Sequence, residues 1–419
     1  MGKQIYVNGN ADSLFPQQGS LFLKKSLMTE HGEKVALAQD VLRSVLKPKT
    51  GEKLLMMTDL WFDKRDESGS NPYWKERTDI ADIWHEAACK LAGEVGFEVL
   101  PILTIPYREH PKFPTEGFMG GMHADPKTNV MAADILVCLP VNSFQFIYDE
   151  LKPGKPEEKK PRALFLPTNS NESFSACLES IEEMDAKAGR LEKALTGATG
   201  IEVLFHCQGG SEYALHIDIR GSPWMKDWEM EGSRRKIWLP AGEYFTAPYP
   251  GTHESAPSRT KGQWPIYPSN EETYIFHSGN EQYAVLDVEG NRVRNINGNS
   301  PLANMARKIM GHMGSNNDNV AEIAFAFNTM ARKTEYSQGD NGKMRKTGAE
   351  LKECEKAEGL HIAFGHNAHF MASHPHLVQG EVHTDIYYND QTPIVPSAYA
   401  VFPGGKKVAI MEKGKYTIF

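Results

Sequence analysis

Six of the chain's fifteen histidines, His361, His366, His369, His374, His376 and His383, fall between residues 361 and 383, far more than an even spread would place there. Histidine titrates nearest neutrality and is the commonest metal ligand, so this clustering points to metal binding or acid–base work. The four histidines of HNAHFMASHPH (366–376) would equally suit a polar loop. His383 and Asp385 are different, because EVHTDIYY is strand-like and residues i and i+2 of a strand project from one face. An imidazole and a carboxylate converging there are ligands for zinc, cobalt, manganese or ferrous iron, with Thr384 turned away.

Three further segments extend the set. AEIAFAFN (321–328) places Glu322 at the head of a small, apolar strand, and GLHIAFGHN (359–367) does the same with His361. An ionised group in such surroundings is costly unless a partner neutralises it. Each could instead sit at a strand end and reach solvent. The PAGE turn before Tyr244 and Phe245 holds Glu243 between apolar flanks, where it is either a third acidic ligand or an exposed turn residue.

The elements that must position these residues fall into two textures. From residue 30 to about 140 helix and strand patterns alternate: an amphipathic stretch at 34–46, an apolar strand at 53–59, a helix at 78–94 ended by Gly96, and strands at 97–104 and 133–139. The continuous apolar character of 133–139 suits a parallel sheet covered on both faces. Residues 115–126 read as a Gly/Met/Pro-rich loop, 151–162 as a charged surface loop, and 171–195 as a solvated helix leading to a strand at 202–207. Past Gly221 come short strands, glycine turns and aromatic loops, with a helix-like stretch at 302–312. The expectation is a two-domain α/β protein: an open α/β domain over 1–220 and a β-rich, metal-binding, catalytic domain over 221–419.

Composition bounds the function classes. With 419 residues, 40% hydrophobic and 24% charged, the chain is long enough for two ordinary globular domains. A net charge of −8, with Lys and Arg scattered, gives no field for nucleic acid or anionic membrane. The five cysteines are odd in number and form no CxxC pair, which argues against a disulfide framework or thiolate zinc site and for a reducing compartment. No signal-like or membrane-spanning apolar run occurs, so a cytoplasmic protein is expected.

Together these segments resemble the aminopeptidase T family, the thermophilic leucyl aminopeptidase-like metallopeptidases. WLPAGEYFTAP is similar to the family's proline-alanine-glycine-glutamate turn, AEIAFAFN to its second metal glutamate, ECEKAEGLHIAFGHN to the block around its metal histidine, and EVHTDIYYND closes the set. VLKPKTGEKLLMMTD resembles the family's opening strand. The resemblance implies that Glu243, Glu322, His361, His383 and Asp385 bind two divalent metal ions (zinc, cobalt or manganese) and that Glu243 also serves catalysis. It further implies an aminopeptidase-like hydrolase that releases N-terminal residues from small peptides through a metal-activated water, paired as a homodimer. One departure stands out. The family carries a tyrosine shortly after the metal histidine, whereas here the stretch reads His366, Asn367, Ala368, His369, Phe370; His369 or His366 is the candidate replacement as proton donor, with Tyr387 and Tyr388 next.

The same fold is expected for the 2,5-dihydroxypyridine dioxygenases, mononuclear ferrous enzymes acting on a small aromatic substrate. There a histidine stands in place of Glu322 and an apolar residue in place of His361. One Fe(II) held by His361, His383 and Asp385 is therefore the alternative, which the presence of both Glu243 and Glu322 disfavours. A third class is a non-catalytic metal-binding or scaffold protein of the same descent.

Overall fold

The computed structural model describes residues 31–60, 72–106, 115–139, 161–166, 174–230, 235–251, 256–267, 276–277, 283–311, 316–333, 335–338, 343–347, 351–367 and 374–419. The first sheet has eight strands; five parallel ones run in the spatial order Lys236–Trp238, Arg162–Phe165, Ile135–Cys138, Lys53–Leu60 and Leu103–Pro106, with Glu98–Val99 beside Lys53–Leu60 and an antiparallel pair extending the far edge. Numbered along the chain the five follow the 2-1-3-4-5 order of doubly wound sheets, whose ligands gather at the carboxyl ends of the strands. The helix Pro72–Val95 packs Ile80, Trp84, Ala87, Ala88 and Leu91 into the core beside Leu54 and Met56 of the central strand.

Local chemistry explains where the elements differ from expectation. The 34–46 stretch begins as the α-helix His31–Val41 and widens to a π-turn over Leu42–Leu46. Residues 97–104 do not make one strand: Glu98–Val99 and Leu103–Pro106 are separate, with Pro101, which has no N–H to donate, between them. The 115–126 stretch holds a hairpin, Gly117–Met119 with Met122–Ala124, turned by Gly120 and Gly121 at positive φ. A short helix, Pro126–Ala132, follows, its N-terminus capped by Asp125, which accepts from the backbone of Lys127 and Thr128. Most of the charged 151–162 loop and the start of the 171–195 stretch lie outside the described residues; its helix runs Ile181–Leu195.

Three antiparallel sheets complete the fold, the smallest being the three strands Phe276–His277, Lys343–Thr347 and Glu335–Gln338. The largest has eight strands, centred on Gly200–Cys207 between Glu212–Asp218 and Ile394–Val401. The next has five, ordered Met225–Lys226, Glu243–Thr246, Val320–Ala326, Gly359–Gly365 and His383–Tyr388. Residues 200–218 thus lie in the largest antiparallel sheet and 236–238 in the first sheet, so the chain crosses between sheets on both sides of residue 220. The architecture is that of a two-domain α/β protein. Among the described residues no helix is long and apolar enough to cross a membrane, and the five cysteines form no disulfide.

Candidate metal centre

Register decides which side chains meet on the five-stranded sheet. Glu243 pairs with Ala326, Glu322 with Ala363, Ala324 with His361, Ala363 with Asp385, and Gly365 with His383. Cross-strand partners and residues two apart share a face, so Glu243, Glu322, His361, His383 and Asp385 all project from one side. Between them on that side stand Ala324, Ala326, Ala363 and Gly365, whose methyls and bare Cα leave room for five longer side chains to converge. The opposite side carries Tyr244, Ile323, Phe325, Leu360, Ile362, Phe364, Ile386 and Tyr388, all part of the main hydrophobic core. That core anchors the sheet and leaves the polar face free for chemistry.

Three backbone devices hold the ligand face in place. A β-bulge in the Val320–Ala326 strand leaves Ala321 as the extra residue, so Val320 joins the core while Glu322 stays on the polar side. The Ala321 carbonyl accepts from Asn367 Nδ2 at 3.2 Å, and Asn367 Oδ1 accepts from Val378 N at 2.6 Å. At the other edge, Asn328 Nδ2 donates to the carbonyls of Ala241 and Ala176, both at 2.8 Å, fixing the turn that delivers Glu243. That turn starts at the carboxyl end of the outer parallel strand, Lys236–Trp238, and contains a cis Leu239–Pro240 peptide. Gly365 (φ 107°) is required, because a Cβ there would run into the Val382 carbonyl oxygen.

Two groups of three ligand atoms result, each with its members within 4.8 Å of one another: Glu243, Glu322 and His361, and Glu322, His383 and Asp385. Glu322 belongs to both. Its Oε1 is 3.2 Å from His361 Nε2 and its Oε2 is 3.4 Å from His383 Nε2. His383 Nε2 also lies 3.0 Å from Asp385 Oδ1, and His361 Nε2 3.8 Å from the same oxygen. His383 Nδ1 donates to the His366 carbonyl at 2.5 Å, which aims Nε2 at the carboxylates as an orienting hydrogen bond does in metal sites. The first group is closed, with Glu243 5%, Glu322 3% and His361 2% exposed; in the second the His383 and Asp385 side chains are 16% and 13% exposed.

The residues fit a divalent cation. Glu243 Oε1 and His361 Nδ1 are buried 3.3 Å apart, and neither makes a hydrogen bond, so two candidate ligand atoms face one small space. Protonation follows the same crowding. Burial opposes charge on His361, but Glu243, the hydrogen bond to Glu322, and Asp385 outweigh it and raise its pKa to about 9. Burial likewise opposes charge on His383, yet Asp385 and Glu322 hold it well above its ordinary value. Burial pushes Glu243 up to about 7 against the pull of Lys356 and His361. Burial works against charge on Asp385 too, but His383 and His361 draw it below the carboxylate range.

The proposed proton donors are placed unequally. His366 is half-buried, its ring 5.7 Å from that of His383, while His369 lies outside the described residues. Tyr387, opposite His361, shares the polar face. Tyr388 does not: it is buried in the core, donating to the Pro265 carbonyl at 2.8 Å and accepting from Trp264 Nε1 at 2.7 Å. Sequence reasoning missed Lys356 and Asp227, which flank Glu243, and the supporting roles of Asn328 and Asn367. The lysine's position inside ECEKAEG, immediately before the His361 strand, was the one local signal.

No protein-family model matches the sequence, and no curated protein matches it. Solved structures do share the fold. The chain is similar to a 2,5-dihydroxypyridine dioxygenase from Pseudomonas putida KT2440, with a TM-score of 0.56 and 13% identity over 93% of this chain and 98% of that one. It is also similar to wild-type AmpT from Thermus thermophilus, with a TM-score of 0.51 and 13% identity over 93% of this chain and all of that one. At such identity the likeness concerns the fold alone and favours neither chemistry.

Proposed function

We propose that this protein is a metal-dependent, aminopeptidase-like hydrolase that holds two divalent cations and releases N-terminal residues from short peptides. One observation carries it: Glu322 belongs to two adjacent three-ligand groups, one oxygen toward each. Glu243 and His361 complete one group, His383 and Asp385 the other. When bound, such a pair of cations polarises a carbonyl and acidifies a water near neutral pH.

The chain's own residues do the rest. Glu322 keeps the two groups in contact, and the His366 carbonyl keeps His383 in the tautomer whose Nε2 faces them. Asp385, the more open carboxylate, stands where an incoming α-ammonium would approach. His366 stands beside His383 as the proton donor for the departing amine, with His369 as the other candidate. Zinc, cobalt and manganese all accept this mixed carboxylate–imidazole set. Pairing into a homodimer belongs to the same proposal.

The test is turnover of short unblocked peptides against their Nα-acetylated forms. Acetylation removes the ammonium group that orients the scissile carbonyl, so turnover should collapse; equal rates on both would remove the aminopeptidase assignment.

A second chemistry draws on a specific observation. His361 Nε2 and His383 Nε2 both approach Asp385 Oδ1, at 3.8 and 3.0 Å, so two imidazoles flank one carboxylate, the donor types a ferrous ion takes. The fold likeness to the dioxygenase accords with it. It leaves the buried Glu243 and Glu322 without a role, which is why the two-metal hydrolase is preferred. Oxygen uptake with a dihydroxylated aromatic substrate would reverse that preference.

A further inference from the structure

We propose that Lys356 is the positioning residue that makes Glu243 a one-oxygen metal ligand. This rests on the two-metal centre above and adds a residue outside its ligand set. Lys356 ends the short helix Leu351–Lys356 and is only 8% exposed. Its ammonium group bonds Glu243 Oε2 and lies 3.2 Å from Asp227 Oδ2 and 3.9 Å from Glu355 Oε2. A lysine suits this place because it is a compact charge with three donors that can be shared among carboxylates, where a planar guanidinium would impose its own fork.

Asp227 completes the clamp. Its Oδ1 accepts from the backbone N–H of Gly242 at 2.8 Å and of Glu243 at 2.9 Å, and its own N–H donates to the Glu243 carbonyl at 3.0 Å. Gly242 (φ 145°) lets the backbone make that approach, since a Cβ there would lie 2.8 Å from the Asn328 Cβ. Glu243 is therefore held at its N–H, its carbonyl and one carboxylate oxygen. The remaining oxygen, Oε1, faces His361 Nδ1 at 3.3 Å and makes no hydrogen bond. Lys356 belongs to neither ligand group itself. It acts through Glu243, by denying the cation a second oxygen and by fixing the direction of the first.

The experiment is zinc binding by the full-length chain, read by competition with a chromophoric chelator and by elemental analysis, with no activity measurement. Lys356→Met should weaken one of the two zinc ions by about 10–100-fold, the usual cost of losing a partner that orients a ligand, and leave the other unchanged. Lys356→Arg, which keeps a cation beside Oε2 but imposes its planar fork, should recover part of that loss. A lysine that merely supported the fold would lower the melting temperature and leave both affinities as they were. Should Lys356→Met fold poorly, the double variant Asp227→Asn, Lys356→Met removes one charge of each sign and keeps the amide oxygen on Gly242 and Glu243; it should show the same one-site loss. Wild-type affinity for both zinc ions in either variant overturns the proposal. If the wild-type chain itself takes up no zinc, the two-metal centre falls, a separate result from its retention with an idle Lys356.

Discussion

Exchanging Glu322 for glutamine keeps the size of the side chain and removes the charge that both ligand groups share. In the structure its two oxygens stand 3.2 Å from His361 Nε2 and 3.4 Å from His383 Nε2. Each cation therefore loses one ligand. A complete four-ligand zinc site is worth about 10–16 kcal/mol at neutral pH, or roughly 3–4 kcal/mol per ligand. At about 1.4 kcal/mol per decade, each zinc should bind ~10²–10³-fold more weakly. Asp385→Asn makes the contrast, because Asp385 belongs to the second group alone. With free zinc buffered about tenfold above the wild-type dissociation constants, elemental analysis after dialysis should find two zinc ions in the parent, one in Asp385→Asn and close to none in Glu322→Gln. A Glu322→Gln protein that keeps one zinc, as Asp385→Asn does, would refute the shared-ligand geometry. Glu322 would then serve a single cation.

The remaining predictions concern the donor, the titration of the face and its backbone support. His366→Gln should lower peptide turnover by about 10²–10⁴-fold with metal content intact, since the ring donates a proton while only the backbone carbonyl holds His383; unchanged turnover would leave the role to His369 or Tyr387. In the chelated protein, His361 is raised to about 9 from 6.5 and Glu243 to about 7 from 4.5, so both bind protons more tightly folded than unfolded. Their stabilisation is complete below the unfolded values and is lost as pH rises through the folded ones. The melting temperature of chelated protein should accordingly fall from pH 4.5 to 9, through the Glu243 window and then that of His361, while zinc affinity rises over the same interval; a melting temperature that climbs across that window contradicts the assignment. Asn367→Ala leaves the bulge carbonyl of Ala321 and the Val378 N–H without their partner, at a cost of about 1–3 kcal/mol each in denaturant unfolding. No change in stability would mean the bulge holds itself.

The candidate ligand residues were legible because each breaks a local rule. A carboxylate or imidazole inside AEIAFAFN or GLHIAFGHN has no place in an apolar strand unless something on that face neutralises it. The period of two in HTD brings His383 and Asp385 together without any knowledge of the fold. Register was not legible. That Glu322 stands opposite Ala363 and reaches both histidines depends on strand pairing and on a bulge at Ala321, and neither leaves a mark within one strand's sequence. Lys356 and Asp227 escaped for the same reason, since their meaning comes from a turn far away in the chain. In the parallel sheet, the pattern located the 53–60 and 135–138 strands, whose apolar runs are continuous. It missed Lys236–Trp238, a strand of three residues that reads as part of the later β-rich texture and joins the first sheet only through its pairing with Arg162–Phe165. The 115–126 hairpin was hidden because Gly120 and Gly121 look alike whether they end a strand pair or fill a loop.

Metal content of the chain purified without added metal tests the central claim most directly. Elemental analysis should find close to two zinc, cobalt or manganese ions per chain, both removed together by a strong chelator and both restored by the divalent ion alone. One iron per chain, with no second metal taken up at saturating zinc, would contradict the shared-glutamate centre and assign His361, His383 and Asp385 to a single ferrous ion.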